Sequence, residues 1–248
     1  MGQCIAVVSG KGGTGKTSFT AGVGQALALS GQRVLCLDCD IGLRNLDLAL
    51  GLTDRALMDF SDVAQGRCSL ESAVVQHPHI PTLFLLTAPV RIRGRAVTQE
   101  EMAALLDAVR QQYDFCLLDA PAGLGLGFQL ATAAADRAVV VTTSDASSLR
   151  DAQHTVMELN RFRTGTLHLV VNRVRKKMLR SMHATIDDAI DKAGLPLIGV
   201  VPEDDALLLS LNSGSPLLLA DGQGPAASAY RNIAVRLQGG KRPLLRIK

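Results

Sequence analysis

Ten residues near the start of the chain, Ser9 to Ser18, read SGKGGTGKTS: four glycines, two lysines and no large side chain. They separate two apolar runs, CIAVV before and FTAGVGQALAL after, so side-chain packing is given up here for another purpose. The spacing is Gly10-x-x-x-x-Gly15-Lys16-Thr17, set between a strand-like and a helix-like run, which is the context a P-loop requires. Bare glycines let backbone N–H groups turn inward around phosphate oxygens, and a helix starting directly behind them adds its positive dipole end. Gly10, Lys11, Gly12, Gly13, Thr14, Gly15, Lys16, Thr17 and Ser18 are therefore expected to cradle the phosphates of a nucleotide. Lys16 is placed to reach the β- and γ-phosphates, and the Thr17 hydroxyl to ligate Mg²⁺.

The remaining sequence predicts the sheet that such a loop needs. Short, almost continuously apolar runs at 4–9, 33–38, 83–88, 114–120, 137–143, 167–172 and 197–201 read as parallel strands covered on both faces. Helical patterns fill 16–30, 98–112, 126–135, 147–162, 182–194, 203–213 and 225–238; the last opens near Pro225 and stops at Gly239-Gly240. This alternation predicts an α/β fold, a single doubly wound, mostly parallel sheet with helices on both faces, as one domain over residues 1–248. At 47% apolar the chain can fill a core, but with 3% aromatics and no Trp that core must be Val, Leu and Ala.

The five cysteines, Cys4, Cys36, Cys39, Cys68 and Cys116, read as reduced thiols of a cytosolic protein. Cys36 and Cys39 have C-x-x-C spacing, yet residues three apart on a strand face opposite ways, which argues against a metal or redox pair. No signal peptide is legible, and no apolar stretch reaches the length of a membrane-spanning helix. Gly2 lacks the Ser or Thr at position 6 that a myristoylation signal carries. A net charge of +3 does not by itself imply nucleic acid.

Carboxylates follow the strands. Asp38 and Asp40, two apart at the end of the second strand, face the same side, where ligand sites of such sheets lie. One suits the water shell of Mg²⁺ and the other the attacking water of a hydrolysis, where orientation matters more than base strength. N-capping of a following helix is the structural alternative for Asp40. FCLLDAPAG ends an apolar strand in Asp119, the Walker B pattern, expected to hold Mg²⁺ through water, before a turn in which Gly123 could act as a hinge.

Lys11 is surplus to this scheme, because Lys16 already serves the phosphates. KGGTGKT resembles the deviant Walker A motif of the MinD/ParA family, which also includes the nitrogenase iron protein. DCDIGLRNLDLALGL, LLDAPAGLG, TTSDASSLRDAQ and GVVPEDDALLLSLNSGSPLL are similar to segments of its MinD branch, from about Ile5 to Pro243. The resemblance implies an ATPase that binds ATP and Mg²⁺, forms an ATP-dependent homodimer and helps place the division septum. Implied partners are a MinC-like inhibitor and a MinE-like activator. It also implies that Lys11 crosses the dimer interface to the partner's phosphates, that Lys11 and Asp40 are the catalytic pair beside Lys16, and that Asp38 joins Thr17 and Asp119 at the metal. Asn172, Arg173, Pro202 and Glu203 would line the adenine, and Arg150 and Asp151 would lie on a partner-binding helix or form an ordinary exposed pair.

The sequence departs from that branch at its end. Its members carry an amphipathic membrane-binding helix, whereas the short basic and apolar tail here, 239–248, has five residues after Pro243, too few for a stable helix. A cytoplasmic protein, peripheral on the inner membrane face at most, is the expectation. RVRKKMLR at 173–180 reads as a solvated loop, a lipid-headgroup contact or non-specific DNA contacts; with no interleaved aromatics, single-strand stacking is not expected. The rivals are a ParA-like partition or flagellar-number ATPase, which would bind DNA or other partners, and an electron-transfer protein with a cluster at its dimer interface. Against the cluster, Cys68 is expected on a helical segment and Cys116 inside a strand.

Overall fold

The chain leaves its first strand, β1 (Gln3–Val8), through the glycine loop into α1 (Lys16–Leu29), and the later elements are arranged around that pair. The computed structural model describes residues 1–163, 165–175, 186–220 and 223–245. Strand β1 lies between β5 (Phe115–Asp119) and β6 (Arg137–Thr142), parallel to both. Beyond β5 come β2 (Val34–Asp38) and β4 (Leu83–Leu86); beyond β6 come β7 (Leu167–Val174) and β8 (Leu197–Pro202). The sheet order is β3-β4-β2-β5-β1-β6-β7-β8, and among the described residues only the two-residue edge strand β3 (Val75–Gln76) pairs antiparallel. The chain thus winds outward in both directions from β1, and the crevice at the carboxyl ends beside β1 is where such sheets bind ligands.

The continuous apolar strands follow from this topology, since alternate residues enter two separate cores. Ile5, Val7, Cys36, Leu117 and Val139 pack with Phe19, Val23 and Leu27 of α1 and with Tyr230 and Ile233 of α11 (Pro225–Leu237). On the other face, Ala6, Val8, Leu35, Leu118 and Val140 pack with α5 (Gln99–Gln112), α6 (Leu126–Ala133) and α7 (Ala146–Glu158). Cys36 and Cys39 fall in different cores, as their spacing on an extended segment requires. Helix α5 begins with a capping box: Thr98 Oγ1 accepts from the Glu101 N–H at 3.2 Å, and the Glu101 carboxylate accepts from the Thr98 N–H at 3.0 Å.

The single doubly wound sheet agrees with the sequence expectation. Not foreseen were β3 and four short helices, α2 (Leu46–Ala49), α3 (Phe60–Ala64), α4 (Leu70–Ala73) and α10 (Leu217–Ala220). One turn is too short to show a 3.6-residue period. Cys68 is not on a helix as expected; it lies half-buried in the bend between α3 and α4. Of the helix expected at 182–194, α8 (Ile186–Ala193) is described; 176–185, with most of the basic run, lies outside the described residues. Helix α9 (Asp205–Ser213) follows β8. Residues 241–245 of the tail are not helical; the Arg236 guanidinium donates to the Arg242 carbonyl at 2.7 Å, and Leu245 packs against the α1–α11 core. Among the described residues no helix is long and apolar enough to cross a membrane.

Helix α1 approaches α11 so closely that a Cβ at Gly22 would lie 2.3 Å from two ring carbons of the fully buried Tyr230. Replacing an interior helical glycine by alanine ordinarily gains about 1 kcal/mol. Overpacking a core costs about 1–3 kcal/mol, and this ring is hemmed in on all sides. Gly22→Ala is therefore expected to lower stability by about 1–2 kcal/mol in urea unfolding; an increase would contradict the packing described.

Candidate nucleotide-binding site

The glycine loop is built to leave donors open. Gly15 precedes α1 with φ 86°, a left-handed conformation natural to glycine, and α1 has no side-chain N-cap. Among the described residues the first N–H groups of α1 consequently have no side-chain cap, and they face the crevice as an anion site. Gly10 backs onto α7, where a Cβ would lie 2.7 Å from Thr155 Oγ1, and a Cβ at Gly12 would lie 3.9 Å from Ala122 Cβ in the turn after β5. Gly123 sits in that same turn.

Lys16 is buried and donates to Ser9 Oγ at 2.7 Å, while Ser9 Oγ donates to the Lys11 carbonyl at 2.7 Å. Thr17 and Thr20, neighbours on one face of α1, both donate to Asp119, at 2.7 and 3.2 Å. In the β2–β5 ladder Asp38 stands opposite Asp119, so two buried carboxylates end adjacent strands side by side. Asp38 accepts from the N–H groups of Asp40 (2.8 Å) and Leu46 (3.2 Å), the latter at the start of α2. The residue that meets this helix is thus Asp38. Asp40, half-buried, keeps a carboxylate with no hydrogen-bond partner among the described residues, so its capping alternative does not hold.

Burial drives the protonation behaviour here. It pushes Asp38 up to about 7, with the neighbouring Asp119 charge adding to the effect and the two N–H donors opposing it. Burial likewise pushes Asp119 up to about 6 against the Thr17 hydroxyl and Lys16. Asp40 is raised by burial and pulled back by Lys16, and Lys16 itself is lowered by burial against the pull of Asp119 and Asp40. Three carboxylates share one ammonium, an imbalance that a divalent cation would correct. Among the described residues no three His, Cys, Asp or Glu side chains form a ready-made metal cage. The donor set, a threonine hydroxyl and two carboxylates beside a phosphate cradle, fits Mg²⁺, which keeps waters and substrate phosphates as ligands.

Beside the loop lies a cavity of about 240 Å³ lined by Ser18, Asn172, Arg173, Pro202, Glu203 and Leu207 among others. The structure therefore brings together all four residues expected at the base. An irregularity in β7–β8 pairing between Val171 and Val174 accompanies a positive φ of 54° at Arg173. Asn172 Nδ2 donates to the Thr14 carbonyl at 2.8 Å and lies 3.5 Å from that of Gly15, which fixes the amide orientation and leaves buried Oδ1 without a partner among the described residues. The Thr14 hydroxyl is another buried orphan. Arg173 donates to the Gly13 carbonyl at 3.0 Å and faces Glu203 at 3.6 Å, so it braces the loop as well as lining the cavity.

Lys11 turns away from this cradle. Its ammonium donates to Ser147 Oγ at 2.7 Å and pairs with Asp145 at 3.7 Å, with both side chains 45% exposed. Asp145 caps α7 through the Ser148 N–H and also accepts from the Thr143 and Ser147 hydroxyls, which hold its carboxyl below the usual range despite partial burial. Arg150 is exposed and Asp151 half-buried on the same helix. Sequence reading missed Ser9, Thr20, Asp145 and Ser147. Thr20 alone carried a local signal, lying one helical step beyond Thr17.

Fold and loop define a P-loop nucleotide-binding domain. The family model for the CobQ/CobB/MinD/ParA nucleotide binding domain matches residues 5–217. The septum site-determining protein MinD of Synechocystis is 38% identical over 246 residues, 99% of this chain and 92% of that protein. The MinC:MinD cell division protein complex of Aquifex aeolicus contains a chain with TM-score 0.90 and 36% identity, covering 99% of each. MinD of Pyrococcus horikoshii, solved with Mg-ADP, has TM-score 0.82 and 29% identity over 96% of each chain. The chain belongs to the CobQ/CobB/MinD/ParA family and, within it, to the MinD proteins.

The raised carboxylates give a signed pH dependence. Asp38 ionises near 3.8 in an unfolded chain and at about 7 when folded, so the folded state holds its proton more tightly. That contribution is complete below about pH 4 and is lost as pH rises to about 7. In metal- and nucleotide-free protein, the stability of Asp38→Asn minus that of the parent should rise by about 2–4 kcal/mol between pH 4.5 and 8, since a tenfold difference in proton affinity between the two states is worth about 1.4 kcal/mol. Parallel urea-unfolding curves for the two proteins would contradict the buried-charge picture.

Proposed function

We propose that this chain is a magnesium-dependent ATPase whose ATP-driven self-association controls recruitment of division-site partners, as a MinD protein. The observation that carries this reading is the separation of its two loop lysines. Lys16 is buried in its own cradle beside Asp119, whereas Lys11 is half-exposed and held outside it by a surface contact. An exposed pair such as Lys11–Asp145 is worth about 0–1 kcal/mol, so the side chain is released cheaply to serve a second protomer's phosphates. There its charge would meet the negative charge developing on the transferring phosphoryl group.

In this reading the open N–H groups of the loop and Lys16 bind the β- and γ-phosphates. Thr17, Asp38 and Asp119 would hold magnesium, which when bound offsets phosphate charge. The Asp40 carboxylate, without a hydrogen bond among the described residues, orients the attacking water. Two of the similar structures support the assignment: one MinD is complexed with Mg-ADP, and another stands in a MinC:MinD complex. A MinC-like inhibitor is accordingly the partner class proposed, with a MinE-like activator and a membrane surface as further proposals.

Lys11→Ala is expected to bind ADP within about threefold of the parent but to lose ATP-dependent dimerisation; an unchanged dimer by light scattering would refute the trans role. Asp40→Ala is expected to accumulate as the ATP-bound dimer with phosphate release reduced by about 100-fold or more, and undiminished release would remove Asp40 from the reaction.

The orphan Asn172 Oδ1 complements the 6-amino group of adenine and opposes the 6-carbonyl of guanine. An unmatched buried acceptor costs about 1–3 kcal/mol. Asn172→Ala should therefore narrow the ATP-over-GTP affinity ratio by about tenfold, measured by competition binding. A preserved ratio would place base selection elsewhere.

A further inference from the structure

A groove of about 310 Å³ lies away from the nucleotide cavity, among the loops that follow β2, α2 and β4. Backbone bonds tie these loops into one surface: the Gly42 N–H donates to the Pro89 carbonyl at 3.1 Å, and the Phe60 N–H to the Thr87 carbonyl at 2.9 Å. Large apolar side chains stand out from it. Leu57 is 93% exposed, Leu43 70%, Val90 62% and Ile92 46%. Scattered exposed apolar side chains need no explanation, but four on three connected loops beside a concave groove form a patch of the kind that marks an interaction site.

The charges say what sort of partner would cover it. Every carboxylate in the groove is already engaged: Asp59 caps α3 through the Ser61 and Asp62 N–H groups, and Asp62 pairs with Arg67 at 2.7 Å. Arg44 pairs with Asp47 at 3.6 Å, and Arg95 with Glu101. Arg91 and Arg93 remain exposed without a hydrogen bond or ion pair among the described residues, although Asp62 feels the charge of Arg93. Apolar projections around a groove with two unmatched guanidinium groups complement leucines flanked by carboxylates on one helical face. A concave site suits inserted side chains better than the plane of a bilayer.

We propose that this groove docks an acidic amphipathic helix of a partner protein. The proposal does not depend on the ATPase reading. Leu43 and Arg44 belong to the segment that Asp38 holds through the Asp40 and Leu46 N–H groups, so the rim of the groove is joined directly to the nucleotide site.

The test is fluorescence anisotropy with the full chain and a labelled four-turn helical peptide, leucine at i, i+3, i+4 and i+7 with glutamate around them. Comparison peptides replace every glutamate by lysine, or every leucine by serine. The acidic leucine peptide should bind at least roughly tenfold more tightly than either comparison. Arg91→Glu with Arg93→Glu should reverse the preference between the acidic and lysine peptides. Leu57→Ser should weaken the acidic peptide by roughly tenfold, with ADP affinity unchanged in both variants. The proposal is overturned by equal binding of all three peptides or by no binding. It is equally overturned if sedimentation with phosphatidylglycerol vesicles, or nucleotide-free self-association, is what the Leu57 and arginine changes abolish.

Discussion

Two carboxylates ending adjacent parallel strands set the terms for the rest of the site. The β2–β5 register places Asp38 opposite Asp119, both buried, and β5 also pairs with β1, whose end opens into the glycine loop. Like charges at this depth cannot both ionise without compensation, so protons are retained to about 7 and about 6. Lys16, Thr17 and Thr20 supply part of the compensation from α1. What is missing is positive charge on the scale of a divalent cation, together with the phosphates that open N–H groups at α1 are arranged to hold. The same pairing fixes where the segments leaving β2 and β5 begin, and those segments carry Asp40 and Gly123.

The parts of this arrangement that were legible in the sequence are those with local chemistry. Gly10 to Thr17 declares itself through spacing, and the strands through unbroken apolar runs that both cores demand. Asp38, Asp40 and Asp119 were readable because ligand sites in doubly wound sheets lie at strand carboxyl ends. Asn172, Arg173, Pro202 and Glu203 carry no such signal; they were placed by family resemblance, and the structure gathers them into one cavity.

The illegible parts are long-range or too short. Lys11 finds Ser147 at a separation of 136 residues, and no periodicity announces that meeting. The bond from the Leu46 N–H to Asp38 depends on a one-turn helix that sequence patterning cannot resolve. Cys68 is expected on a helical segment, yet the chain there breaks into two capped single turns on either side of a bend. Asp59 and Ser69 each cap the start of their own turn, through the Ser61 and Asp62 N–H groups and the Ser72 N–H.

The central physical claim is that the Asp38–Asp119 pair is incomplete without magnesium and phosphate together. Thermal unfolding with ADP, in excess magnesium and separately in excess chelator, tests it most directly, because a ligand stabilises the fold in proportion to its affinity for the folded state. The expected result is a clear rise in Tm with ADP and magnesium and a much smaller one with ADP and chelator. Equal stabilisation under both conditions would mean that the carboxylates hold no metal beside the nucleotide, and the account of the site would be wrong.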